Sequence, residues 1–234
     1  MPPKPRSFGV ARQHQIPKVP VHAGTDNILP VTSVRNLGIY IDSDMSMKTH
    51  VSKVVSAAFA ALRQIRSVRR SLPRHAVVSL VVAIVLTRLD YGNATLAGLP
   101  INLLDRLQSV LNASARLICS ARKYDHVTPL LCDLHWLRVP ERINFKLSVL
   151  VFRCLHGLAP SYLADSLHRA EDYDSGHGLR SASTNELIMP ATHRTTLGDR
   201  SFPVAAARAW NRLPSHVTDL DSLSSFRRAF KTVL

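Results

Sequence analysis

The chain has 234 residues, 46% hydrophobic and 20% charged, with 30 Lys and Arg against 16 Asp and Glu for a net charge of +14. That apolar fraction can bury a core, which excludes disorder throughout, and the length fits one or two domains. The basic excess therefore decorates a folded body, and such a surface suits a polyanion. Cys119, Cys132 and Cys154 are odd in number and scattered. They argue against a disulfide framework and for a reducing compartment, nuclear or cytoplasmic, rather than secretion.

Residues 1–30 contain repeated prolines, Pro17, Pro20 and Pro30 among them, and no helical period, so they read as an irregular or edge-strand lead-in without a signal peptide. In residues 31–45, Val34, Leu37, Ile39 and Ile41 mark a short strand or half of a hairpin, and Gly38 permits a bulge or close backbone approach. From Ser46, a candidate N-cap, the period turns helical through Val51, Val54, Val55, Ala58, Phe59, Leu62 and Ile65. Pro73 opens a second helix reaching about Tyr91, expected to pair with the first as a hairpin. Its apolar run, residues 76–87, is shorter than the roughly 18–20 residues a bilayer span needs. No transmembrane segment is read.

Pro100 introduces a third helix with Leu103, Leu107, Val110, Leu111, Leu117 and Ile118 on its apolar stripe. A short segment over 127–134 follows, then a helix opened by Pro140 and Glu141 and closed by Gly157, and another piece over 160–167. Residues 169–198 read as an exposed loop with brief extended pieces around Ile188 and Thr195. Residues 199–234 read as two more helices, with Ser222 capping the last. The expected fold is mainly α: a helical bundle over 46–168 with a small N-terminal β-element and a long irregular loop before the C-terminal helices.

Asp42 and Asp44 stand two apart after an apolar strand, the spacing that points two carboxylates to one side for a Mg²⁺ ion. Adjacent acids and a third acid on a neighbouring strand are missing. The pair therefore reads as turn and helix-start chemistry, in which Asp and Ser satisfy free amides. His126, Cys132, His135, Cys154 and His156 lack close Cys or His pairs at zinc spacing and read as packing residues. Neither a Gly-x-Ser-x-Gly elbow nor a Gly-Lys P-loop occurs. The strongest signal is basic: Arg63, Arg66 and Arg70 repeat at three and four, Lys53 precedes them, Arg69 and Arg74 extend the patch, and Arg116, Arg122 and Lys123 add a second cluster. One groove shared by both clusters would bind a phosphate backbone with high salt sensitivity and little sequence preference.

Several phrases occur in order: Val34-Arg35-Asn36-Leu37-Gly38-Ile39-Tyr40-Ile41-Asp42, Arg88-Leu89-Asp90-Tyr91-Gly92-Asn93, Leu107-Gln108-Ser109-Val110-Leu111-Asn112, Leu134-His135-Trp136-Leu137-Arg138-Val139-Pro140-Glu141-Arg142, Ala159-Pro160-Ser161-Tyr162-Leu163, Leu197-Gly198-Asp199-Arg200, Trp210-Asn211-Arg212-Leu213-Pro214 and Ser222-Leu223-Ser224-Ser225-Phe226. The series closely resembles the C-terminal part of reverse transcriptases of non-LTR (LINE-type) retrotransposons, over about residues 31–234. Gly92 stands where that family commonly has cysteine. The resemblance implies a last palm hairpin (31–45), a helical thumb (46–168) and a C-terminal extension (199–234). It implies no fingers, most of the palm missing, and the catalytic acids with their Mg²⁺ upstream.

On this expectation the chain is not an enzyme by itself and needs no cofactor. Its partners would be RNA, DNA or an RNA–DNA duplex held by the backbone, and a missing palm and fingers segment or a second copy of itself. The alternative expectation is a helical protein–protein or self-association module, or a retroelement remnant without a selected role.

Overall fold

Proline cannot donate to a β-ladder, and in the sequence Pro20 and Pro30 lie just outside the first one. The computed structural model describes residues 21–23, 26–170, 185–192 and 198–234. Within the lead-in expected to be irregular or edge-strand, β1 (Val21–Ala23) pairs antiparallel with β2 (Asp26–Ile28) in the register Val21 to Ile28. The element expected over 34–41, a short strand or half of a hairpin, is a complete hairpin. β3 (Ser33–Asn36) returns as β4 (Ile39–Asp42), Ser33 opposite Asp42 and Asn36 opposite Ile39. The two loop residues, Leu37 (φ 45°) and Gly38 (φ 86°), are both left-handed, the turn geometry that matches the twist of paired strands. Gly38 thus turns the chain and forms no bulge.

The chain divides into two compact units, Met1–Lys53 and Val54–Leu234. The break falls inside α1 (Lys48–Val68), which starts two residues after the Ser46 cap expected from the sequence. A tighter 3₁₀ turn, Arg69–Ser71, ends α1, and extended Leu72 and Pro73 redirect the chain into α2 (Arg74–Val81). That redirection explains why α2 does not form the expected hairpin with α1; its principal partner outside its own helix is α4.

The helix begun by α2 runs on through a wide turn at Val82–Leu86 into α3 (Thr87–Asp90). Its buried residues Val77, Val81, Val85 and Leu89 recur at steps of four. In a regular α-helix each such step would turn the apolar face by about 40°. The wide turn holds more residues per turn and returns the stripe to the core.

α4 (Ile101–Cys119), α5 (Val127–Asp133), α6 (Val139–Leu155) and α7 (Ser161–Ala164) follow, then α8 (Phe202–Trp210), α9 (Ser215–Thr218) and α10 (Leu223–Val233). The fold is mainly α. Pro73, Pro100, Pro160 and Pro214 each stand immediately before a helix, extended at ψ, rather than inside its first turn. Their fixed φ halts the preceding segment while their carbonyls accept the first helical N–H bonds. α6 opens differently: Glu141 Oε2 accepts the Arg138 N–H at 2.8 Å.

α6 organises the larger unit, touching α4, α7, α8, α10 and the short 3₁₀ turn at Asn93–Leu96. Arg142 at its start makes a bidentate pair with Asp90, 2.9 and 2.5 Å, and Gln108 of α4 accepts the Val139 N–H at 2.8 Å. Its far face supplies Phe152 to a core with Trp210, Val217, Phe226 and Phe230. Phe152 and Phe226 stack at 4.7 Å between ring centroids, and Phe145 and Phe230 at 5.6 Å.

Part of the segment expected as exposed loop also belongs to this core. Leu187 is buried, bridges Arg169 antiparallel, and is held at both backbone atoms by the Asn211 amide at 2.9 and 2.8 Å. The extended piece therefore centres on Leu187, one residue before its expected place; residues 171–184 and Thr195 lie outside the described residues. Because Phe226 has no exposed surface, Phe226→Ala should cost about 3–5 kcal/mol, lowering the midpoint of chemical unfolding followed by circular dichroism.

Candidate nucleic-acid interface

Arg63 and Arg66 are exposed on the second half of α1, one turn apart on the same face. Arg70, expected to continue that α-helical face, lies instead in the 3₁₀ turn with Arg69, since the α-helix stops at Val68. The tighter turn carries Arg69 and Arg70 to a groove of about 550 Å³ that Arg74, Cys119, Ser120 and Asp133 also line.

Two of these arginines are engaged within the fold. Arg69 Nη2 donates to the Ser120 hydroxyl, and Arg74 Nη2 approaches Cys119 Sγ at 4.0 Å. Both reach the C-terminal end of α4, where the helix dipole favours cations. Arg70 is exposed in the groove and, among the described residues, has no acidic partner.

The second cluster divides. Arg116, half-buried on α4, donates to the Asp125 carbonyl oxygen at 3.0 Å and braces the loop after α4. Arg122 and Lys123 on that loop are exposed, with Lys123 Nζ 5.5 Å from the centre of the Tyr124 ring. Lys53 is exposed on α1 within the N-terminal unit.

Three residues at this groove had no sequence signal. Cys119 and Ser120 enter it because α4 ends there, Ser120 being left-handed at φ 58°, and Asp133 because α5 folds back beside α4. Asp133 places an acid at the edge of a basic site, which restrains the field of the arginines.

Asp42 and Asp44 serve the start of α1. Asp42 Oδ2 accepts the Thr49 N–H and the Ser46 hydroxyl, both at 3.1 Å, and Asp44 Oδ1 accepts the Ser46 N–H at 3.0 Å. Asp42, not Ser46, therefore caps the helix from a distance, because Met45 and Met47 both take positive φ and carry the chain around the carboxylate. Burial pushes the Asp42 carboxyl up, but hydrogen bonds from Thr49 and Ser46 outweigh it and hold it below its usual value. His126, Cys132 and His135 are exposed and Cys154 is buried; among the described residues no three His, Cys, Asp or Glu gather as a metal would require. Burial raises the Cys154 thiol, against the opposing charge of Arg153.

Comparison with protein-family models, curated proteins and solved structures matches none of them.

Next to Asp42, buried His50 accepts the Tyr40 N–H on Nδ1 at 3.4 Å. Burial lowers its basicity, with Asp42 acting in the opposite direction. The folded unit disfavours the imidazolium, so its contribution is complete above the ordinary imidazole value near 6.5 and declines as pH falls below it. The Asp42 contribution, complete above about pH 4, is lost at still lower pH as the carboxylate is protonated. Amide protection at Tyr40 and Thr49, corrected for intrinsic exchange rates, should therefore fall between about pH 7 and 5. His50→Gln should flatten that step and leave the loss below about pH 4.

Proposed function

We propose that this chain is a non-catalytic, reverse-transcriptase-like C-terminal fragment that holds the sugar–phosphate backbone of RNA, DNA or an RNA–DNA duplex. The observation that carries the reading is the convergence of Arg69, Arg70 and Arg74 on one groove, continued by exposed Arg63 and Arg66. The ordered phrases that resemble LINE-type reverse transcriptases supply the choice of partner. Asp42 and Asp44, engaged in starting a helix, support a binding role without nucleotidyl transfer.

A second reading, self-association, is favoured by the N-terminal unit, where Leu29, Val31, Val34 and Leu37 are all exposed. Those side chains beside an open hairpin edge suit strand addition by a second copy.

Fluorescence anisotropy on a short RNA–DNA duplex, repeated across salt, tests the first reading. Three arginine–phosphate contacts, from Arg63, Arg66 and Arg70, correspond to a slope of log affinity against log salt of about −2 to −3. Arg66→Ala with Arg70→Ala should reduce that slope by about 2 and leave no strong sequence preference. Undetectable binding, or binding indifferent to salt, removes it. A dimer on size exclusion that persists in high salt would favour the second reading, because apolar contacts survive screening.

A further inference from the structure

α10 has no acidic residue and carries Arg227, Arg228 and Lys231, while Leu223, Phe226 and Phe230 form its apolar side. Phe226 and Phe230 are buried and Leu223 packs against the same core. The partner helix in this seam is α6, with Phe145 against Phe230 and Phe152 against Phe226. Since the pairing runs 145 to 230 and 152 to 226, the two helices are antiparallel.

One residue further along a right-handed helix is about 100° further round. In two antiparallel helices, that rotation from the seam leads to the same side of both. Lys146 and Arg153 follow the α6 seam residues, and Arg227 and Lys231 follow those of α10. All four are exposed and fall on one side, whereas Arg228, a further 100° round, faces away. Lys231 Nζ at 5.9 Å from the Phe145 ring centre places that side chain over the seam.

Helix rise sets the spacing at about 10 Å between Lys146 and Arg153 and about 6 Å between Arg227 and Lys231. The two rows are separated by about 8–10 Å, the usual distance between packed helices. Among the described residues none of the four has an ion-pair partner. The one acid on α6, Glu141, is engaged in capping its first turn.

We propose that this α6/α10 face is a second binding surface for a nucleic-acid backbone. Four cations, each about 6–10 Å from its neighbours, match a polyanion carrying a charge every 1.7 Å or so along a duplex axis. A membrane surface is the poorer match, because an interfacial helix needs its apolar side for lipid, and α10 has committed Phe226 and Phe230 to the core. The existence of the basic face is independent of the function proposed above; the choice of polyanion rests on it.

The test compares wild type, Arg227→Gln/Lys231→Gln and Arg66→Ala/Arg70→Ala in anisotropy with the same short RNA–DNA duplex. Vesicles containing phosphatidylserine and a polyglutamate competitor form parallel arms, and circular dichroism melts check folding. The Arg227→Gln/Lys231→Gln variant should melt as wild type, bind at least tenfold more weakly at low salt, and lose about 2 from the salt slope. Lys146→Gln/Arg153→Gln, on the other helix of the seam, should reproduce that loss.

Unchanged duplex binding in both seam variants, with loss only in the α1 variant, overturns the second surface and leaves the first reading standing. No duplex binding by wild type removes both. Vesicle or polyglutamate binding that depends on Arg227 and Lys231, without duplex binding, overturns the choice of polyanion.

Discussion

One helix, α6, holds the larger unit together, and the constraint it imposes is that its apolar residues must be covered by several neighbours at once. Ile143 and Leu147 are buried near its start, while Phe152 and Val151 are buried toward its end. α4 and the Asn93–Leu96 turn lie against it, as do α8 and α10. The bidentate Arg142–Asp90 pair fixes its angle to the end of α3, with both side chains largely removed from water. Planar guanidinium and carboxylate satisfy one another there in a geometry that lysine could not supply.

Several acids among the described residues are used at such joints. Asp42 caps α1 from β4, Asp125 Oδ2 accepts the Arg122 N–H at 2.6 Å, Glu141 caps α6, and Asp199 accepts a hydrogen bond from Thr192 and lies 3.7 Å from Arg208. Each carboxylate placed against an amide, a hydroxyl or a guanidinium is withdrawn from the outward field. Arg63, Arg66, Arg70, Arg227 and Lys231 meanwhile stay exposed. These exposed cations carry part of the net charge of +14 outward.

Several of the ordered phrases singled out in the sequence fall at these same junctions. Asp90 and Arg142 come from two of them and meet in one pair. Gln108 and Val139 come from two and share a hydrogen bond. The Trp210-Asn211 phrase clamps the returning strand segment, Trp210 Nε1 donating to the Asn185 carbonyl at 2.8 Å while Asn211 holds Leu187. Their residue types thus have a structural use in this chain, apart from any contact with nucleic acid, and the binding proposal rests on the exposed cations instead.

Period, proline placement and capping residues made the helices legible, because each depends on neighbours within about four positions. α4, α6 and α10 lie close to where the apolar stripes put them, and Ser222 caps α10 by accepting the Ser225 N–H. The Asp42–Asp44 pair was likewise readable as helix-start chemistry from its turn context. Partner choice was not, because it depends on the direction in which a connection sends the chain. Extended Leu72 and Pro73 put α2 on α4, and the end of α4 drew Arg69 and Arg74 into internal contacts. Lys146 and Arg153 stand more than seventy positions from Arg227 and Lys231 in the sequence. Only the antiparallel packing of two aromatic seams puts those four charges on one side.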